Sequence, residues 1–241
     1  MSSQSPFSGK VKIFSDGADK KAMLEMYQNP IVKGLTTNPS LMKKSGITDY
    51  VTFCKDILRD IKTKPISFEV FADHFTEMKR QALEIASWGN NVYVKIPITN
   101  SEGESSLPLI KELSLSGVKL NVTAVLTLEQ SWGACQSLKG GAPSILSIFA
   151  GRIADTGRDP VPLMQAAVEL CRATDSNIEL LWASSREALN IVQADQIGCH
   201  IITATTDLIK KMSMFNKDLT ELSLDTVRMF KTDAESAGYS L

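Results

Sequence analysis

Short apolar, β-prone runs return along this chain at about the length of one strand-plus-helix unit, and that recurrence constrains the fold more than any other feature. The runs are Val11 to Asp16, Gly34 to Thr37, Ile66 to Phe71, Val92 to Pro97, Lys119 to Val125, Ser144 to Phe149, Ile178 to Ser184 and His200 to Thr203. Between them lie amphipathic stretches of helical period. Phe75 to Trp88 puts Met78, Ala82 and Ile85 on one face and stops at Gly89, and Ser106 to Ser116 stops at Gly117. No Pro/Gly/Ser linker divides the chain, and no G-x-G-x-x-G follows the first run, which disfavours a dinucleotide-binding pair of domains. A length of 241 residues suits a closed eight-fold barrel. The expected class is therefore α/β, a (β/α)8 TIM barrel over residues 1–211, with residues 212–241 as a C-terminal helical extension of the same domain. In that extension, Asp218 to Phe230 spaces Leu219, Leu222, Val227 and Phe230 as one helical face, which must pack on this barrel or on a neighbour's.

Composition narrows the partners. Formal net charge is -1 with no basic block, so nothing proposes nucleic acid or an anionic membrane, and any anionic ligand must be held locally. Cys54, Cys135, Cys171 and Cys199 lack metal-ligand spacing, and His74 and His200 complete no zinc motif. They read as reduced, mostly buried thiols of a cytoplasmic protein that needs no metal. The start Met-Ser-Ser-Gln-Ser-Pro lacks the order of a signal peptide, and no apolar run approaches the ~18 residues of a membrane span.

One residue stands against its surroundings. Lys95 lies in the apolar run from Asn91 to Thr99, which reads as a parallel strand covered on both faces. An ammonium there loses its hydration, so a carboxylate pairs with it or it sits neutral. A neutral amine is a nucleophile able to form a Schiff base with a carbonyl substrate; the alternative is a lysine at the strand's open end, reaching water.

In a barrel, chemistry belongs at the carboxyl ends of the strands, and polar residues gather there. Asp16 ends the first run, and Thr36, Thr37 and Asn38 end the second. Glu69 lies in the third, Lys95 in the fourth, and Asn121 with Thr123 on one face of the fifth. Ser147 and Arg152 follow on the sixth run and its loop, and Ser184 and Arg186 at the end of the seventh. Each has an ordinary alternative: a helix cap for Asp16, a salt bridge to Lys95 for Glu69, a turn before Pro39 for Asn38, a solvated charge for either arginine. So many polar groups on seven strands are hard to explain by stability alone.

These residues carry a family resemblance. Asp16 with Ala18-Asp19, Gly34 to Ser40 (Gly-Leu-Thr-Thr-Asn-Pro-Ser), Phe68-Glu69-Val70, Val94-Lys95-Ile96-Pro97, Asn121-Val122-Thr123, Ser147 to Arg152 and Ala183 to Arg186 resemble, in order, the motifs of the transaldolases. The match is with the small single-barrel branch that also includes fructose-6-phosphate aldolase. Gly17 stands where threonine is common, Ile148 where proline is usual, and Ser185 where phenylalanine is frequent.

The resemblance implies a cofactor-free Schiff-base aldol reaction on sugar phosphates, by a homo-oligomer. Lys95 would be the nucleophile, Asp16 the acid/base on the C4 hydroxyl, and Glu69 and Thr123 the holders of a proton-relaying water. Because a direct Glu69–Lys95 pair would keep the amine charged, Glu69 is expected to act through that water or to be neutral for part of the cycle. Thr36, Asn38 and Asn121 would orient the dihydroxyacetone hydroxyls, and Ser147, Arg152, Ser184 and Arg186 would hold the phosphate. Phe149 and Trp182 read as core or pocket wall. Glu69 and Phe149 match the transaldolase type, whereas the aldolase branch has glutamine and tyrosine there. The resemblance thus implies transfer of dihydroxyacetone from sedoheptulose 7-phosphate to glyceraldehyde 3-phosphate, the alternatives being a fructose-6-phosphate aldolase or a non-catalytic sugar-phosphate-binding barrel.

Overall fold

The computed structural model describes residues 7–240. Its first compact unit, Gly9–Ile209, contains a closed barrel of eight parallel strands in sequence order. The strands are β1 (Lys12–Asp16), β2 (Val32–Thr36), β3 (Ile66–Glu69), β4 (Val92–Pro97), β5 (Leu120–Val125), β6 (Ser144–Ile148), β7 (Ile178–Trp182) and β8 (Ile201–Thr205). Closure comes from β1, which pairs with β2 on one side and β8 on the other. Helices α1 (Lys20–Gln28), α2 (Pro39–Lys44) and α3 (Tyr50–Asp60) connect the first three strands, and α4 (Phe75–Ala86), α5 (Leu107–Leu115) and α6 (Leu128–Leu138) the next three. After β6 come α7 (Ala150–Asp155) and α8 (Val161–Thr174), then α9 (Leu189–Gln196) before β8 and α10 (Thr206–Lys211) after it. The (β/α)8 barrel expected from the spacing is the fold.

Local chemistry explains where the helices start and stop. Asp19, Asn38 and Asp49 each accept a backbone N–H of the following first turn, and Thr127 forms a reciprocal capping box with Gln130. Gly117 ends α5 in the left-handed region at φ 89°, where its N–H reaches the Ser114 carbonyl. Gly89 does not play that part: α4 ends earlier, through the Ser87 N–H bonded back to Leu83 and Glu84. β2 starts at Val32 instead of Gly34, because Val32 is fully buried in the ladder and the glycine is interior to the strand.

That glycine is a packing requirement. Phe14 on β1 stands opposite Gly34 on β2, and a β-carbon on Gly34 would sit 2.5 Å from the Phe14 Cζ. The ring fills the barrel interior with Ile145, Leu181, Ala183 and Ile201, flanked by Tyr93 and Phe149. This apolar plug closes the barrel below the strand ends, so polar side chains above it face a cavity with a dry floor.

The second unit runs from Lys210 onward together with Phe7 and Ser8. Phe7 meets Phe215 edge-to-face at 6.1 Å. Its helix α11 (Leu219–Ala237) is capped by Asp218, whose carboxylate takes the N–H groups of Thr220 and Glu221, and ends at Gly238 with φ 68°. It extends beyond Phe230, where the apolar spacing stops, because the polar remainder can stay helical until that glycine. No α11 residue is buried, and Leu219, Val227 and Phe230 are exposed.

Gly34→Ala should destabilise the barrel by about 1–3 kcal/mol, since the Phe14 ring is packed too closely to yield. Chemical denaturation checks this, and Phe14→Leu in the same chain should recover part of the loss; an unchanged midpoint for Gly34→Ala alone would show that the ring can move aside.

Candidate active site

The carboxyl ends of the strands open into a cavity of about 550 Å³, lined by all of the candidate residues: Asp16, Thr36, Asn38, Glu69, Lys95, Asn121, Thr123, Ser147, Arg152, Ser184 and Arg186. Strand register makes this possible. Glu69 stands opposite Lys95 and Lys95 opposite Asn121, so three polar groups fall in one row across β3, β4 and β5.

Lys95 is buried, and its Nζ lies 2.9 Å from Glu69 Oε2 and 3.0 Å from the Thr37 carbonyl. The direct ion pair is thus the arrangement found. Thr37 is fixed in turn by its hydroxyl, which donates to the Ser67 carbonyl at 2.9 Å. Asn121 has both ends of its amide engaged, donating to Ser67 Oγ at 3.0 Å and accepting from Ser147 Oγ at 2.7 Å. Thr123 lies two residues further on the same face, and its buried hydroxyl has no partner among the described residues. Thr123 lines the polar cavity, and a buried hydroxyl without a partner beside it is suited to hold water or a substrate oxygen.

Asp16 Oδ1 accepts the Thr36 hydroxyl at 2.7 Å, and Thr36 Oγ1 lies 2.6 Å from Thr203 Oγ1. Burial raises the Asp16 carboxyl above its ordinary value, outweighing the Thr36 hydrogen bond and the Lys95 charge that lower it, while Glu69 adds to the rise. A carboxyl shifted in this direction is better suited to take and return a proton near neutral pH. Asn38 caps α2 through Oδ1, which accepts the Leu41 N–H at 2.9 Å. Its amide nitrogen has no partner among the described residues, so the capping role and a ligand contact are compatible.

The two arginines differ. Arg152 lies with its guanidinium carbon 5.4 Å from the Phe149 ring centroid. Arg186 is held by Asp155 through two hydrogen bonds, the Nε bond being 3.0 Å, so an anion there must share or displace that carboxylate. Backbone geometry brings their loops together. A β-carbon on Gly151 would lie 1.5 Å from the Ser184 carbonyl oxygen, so only glycine allows this approach. Ser184 itself has φ 63°, and Ala124 beside Thr123 has φ 60° where β5 bulges against β6.

Ser185, which stands where phenylalanine is frequent in the resemblance, also lines the cavity, as do Thr203, Thr205 and Ala124, which no motif in the sequence marks. The available signal was the alternation Ile201-Ile202-Thr203-Ala204-Thr205, which places both threonines on one face. Among the described residues, no group of three or more His, Cys, Asp and Glu side chains is arranged to hold a metal ion, and no helix is long and apolar enough to cross a membrane.

A parallel eight-stranded barrel with a buried lysine, two carboxylates and amide groups around one cavity defines a site able to act on a polar carbonyl compound. Residues 13–241 match the family model for transaldolase/fructose-6-phosphate aldolase, and the chain belongs to that family. It is 33% identical over 231 residues to a Thermoanaerobacter sp. (strain X514) protein named "Probable transaldolase", spanning 96% of this chain and 100% of the relative. A protein of that name from Bdellovibrio bacteriovorus is 34% identical, over 94% of this chain and 99% of its own length. A crystal structure from Burkholderia cenocepacia J2315 aligns with a TM-score of 0.59, covering 98% of this chain and 86% of that one; at 12% identity it shares the fold alone.

The raised Asp16 value gives a stability prediction. Between the ordinary carboxylate value and the raised folded value, the folded chain binds this proton more firmly than the unfolded chain does. Stability from this group is therefore greatest at low pH and falls as pH rises through that window. Asp16→Asn should remove the loss and raise the thermal midpoint by a few degrees at pH 7, but not below the ordinary carboxylate range. Calorimetry at both pH values checks it; a lower midpoint at pH 7 would show that the carboxylate is net stabilising.

Proposed function

We propose that the protein is a transaldolase that carries a dihydroxyacetone unit between sugar phosphates as a Schiff base on Lys95. The observation that carries this reading is the Lys95 amine in the floor of the cavity, 2.9 Å from Glu69, with its charge felt by Asp16. Proton transfer from the ammonium to Glu69 would leave a neutral amine, which attacks the C2 ketone and forms the N–C bond. Loss of the former carbonyl oxygen as water, with protons returned from Glu69, gives an iminium. A water on the free Thr123 hydroxyl would serve as relay in this exchange.

Asp16 then takes the C4-hydroxyl proton. The electron pair of that O–H bond becomes the C=O of the departing aldehyde, and the C3–C4 pair passes to the iminium to give an enamine. Capture of the enamine by a second aldehyde reverses these steps. Asn121 and the unengaged amide of Asn38 suit the hydroxyls of the three-carbon unit, with Thr36 beside Asp16. Arg152, Arg186, Ser147 and Ser184 suit the phosphate, in sedoheptulose 7-phosphate as donor and glyceraldehyde 3-phosphate as acceptor. Glu69 and Phe149 favour transfer over release, because a carboxylate and a phenyl ring offer less help to a water protonating the enamine than an amide and a phenol would. The chemistry uses no cofactor.

Incubation with fructose 6-phosphate and borohydride should inactivate the protein and add a reduced dihydroxyacetone unit at Lys95, located by peptide mass analysis. Lys95→Arg should lose both labelling and turnover, since a guanidinium stays protonated. Labelling elsewhere, or none, would discard the Schiff base and leave a sugar-phosphate-binding barrel. Free dihydroxyacetone released by the wild type as fast as it is transferred would make the protein a fructose-6-phosphate aldolase.

The reading extends to assembly and setting. The exposed apolar residues Leu219, Val227 and Phe230 of α11 suit a subunit contact in a homo-oligomer, and four buried free cysteines suit the cytoplasm. Light scattering of the full chain and of a chain ending before Asp218 should give different masses; a monomer at micromolar concentration in both would remove the assembly.

A further inference from the structure

Thr203 on β8 is given no part in the proposed reaction, yet it is hydrogen-bonded to a group that touches the acid/base carboxylate. It is buried, and its Oγ1 lies 2.6 Å from Thr36 Oγ1, which lies 2.7 Å from Asp16 Oδ1. The direction of this chain follows from proton counting. An ionised carboxylate only accepts, so the single Thr36 hydroxyl proton points at Oδ1. The bond between the two hydroxyls must then be donated by Thr203. Such a donor polarises the Thr36 O–H and strengthens its bond to the carboxylate. Asp16 Oδ2, by contrast, has no hydrogen-bond partner among the described residues.

We propose that Thr203 is a positioning residue for Asp16: acting through Thr36, it keeps Oδ1 committed as an acceptor and leaves Oδ2 as the oxygen that takes and returns the proton. The inference rests on the reading of Asp16 as the acid/base group. Position is set from both sides of the barrel seam. β1 pairs with β2 at Asp16 and Thr36, and with β8 one row away, where Phe14 stands opposite Thr203. The Thr203 carbonyl accepts the Ser185 hydroxyl at 2.7 Å, tying the strand end to the loop after β7. Ser185 is the residue that stands where phenylalanine is frequent in the resemblance. A phenyl group could not make this bond.

The charged groups that act on Asp16 are Lys95 from β4 and Glu69 from β3. From β2 and β8 the cavity receives only the hydroxyls of Thr36, Thr203 and Thr205, and Arg152 and Arg186 are its exposed cations. Asp19, beyond the end of β1, is engaged in capping α1. Removing the Thr203 hydroxyl changes none of these charges. Any change in the titration of Asp16 would therefore report the hydroxyl chain.

The test compares wild type, Thr203→Val and Thr203→Ser. The acid limb of kcat/KM is measured against pH, and the Asp16 carboxyl is titrated by carbon NMR on aspartate-labelled protein, assigned with Asp16→Asn. In Thr203→Val the carboxylate loses support, so the acid limb should move to higher pH. At a fixed pH on that limb, kcat/KM should fall about threefold, and the NMR titration should move the same way. Thr203→Ser, which keeps the donor, should return both to wild type. Borohydride labelling of Lys95 should persist in all three. Superimposable acid limbs and NMR titrations for Thr203→Val and wild type would overturn the inference. Absent labelling in wild type would instead overturn the Schiff-base reading, while the NMR titration still decides the role of Thr203. If Thr203→Val does not fold, Thr203→Ala is read by the same measurements.

Discussion

The placement of an ammonium inside the barrel depends on the pair between Lys95 and Glu69, whose side chains are 7% and 19% exposed. Removing one partner from such a pair leaves an uncompensated charge and typically costs about 3–5 kcal/mol. The barrel meets that demand through register: with Glu69 opposite Lys95 on adjacent parallel strands, both side chains point inward at one height. A shift of one residue would turn one of them outward. The closed ladder excludes such a shift because every strand is held on both sides.

Below this row the interior is apolar, and above it polar. Phe14 over Gly34, with Ile145, Leu181 and Ile201, excludes water from beneath the charges. The attraction of Lys95 to each carboxylate, and the repulsion between Glu69 and Asp16, are stronger for that reason. The cost appears in the backbone at the rim of the site. Ala124 and Ser184, neither a glycine, occupy the left-handed region, and each such residue costs on the order of 1 kcal/mol or more. Ala124 lies beside Thr123 where β5 bulges against β6, and Ser184 lies beyond β7 in the loop that carries Arg186, with its carbonyl against Gly151.

The sequence carries the barrel through its spacing and the row Glu69, Lys95, Asn121 through isolated polar residues in apolar runs, where a buried polar side chain requires a partner or a ligand. Less legible were groups whose residue type is ordinary in their setting. Thr203 and Thr205 are β-prone residues in a β-prone run, and nothing local distinguishes an inward threonine over a cavity from one in a ladder. Asp155 on α7 reads as a surface charge, and only the folding of that helix against the end of β7 brings it to Arg186. The bulge at Ala124 has no glycine to announce it. The full extent of α11 was hidden for a different reason, since periodic apolar residues stop at Phe230 while backbone hydrogen bonding continues to the cap at Gly238.

The sequence also posed a conflict: a carboxylate in direct contact with the lysine would hold the amine charged. Under the proposed chemistry, the 2.9 Å separation makes this contact a route. At hydrogen-bond distance the proton can pass from Nζ to Oε2 without a carrier, and the transfer converts two buried charges into two neutral groups with no change in net charge. On that route Glu69 needs no intervening water to release the amine, and the free hydroxyl of Thr123 is left to serve the later step in which the former carbonyl oxygen departs.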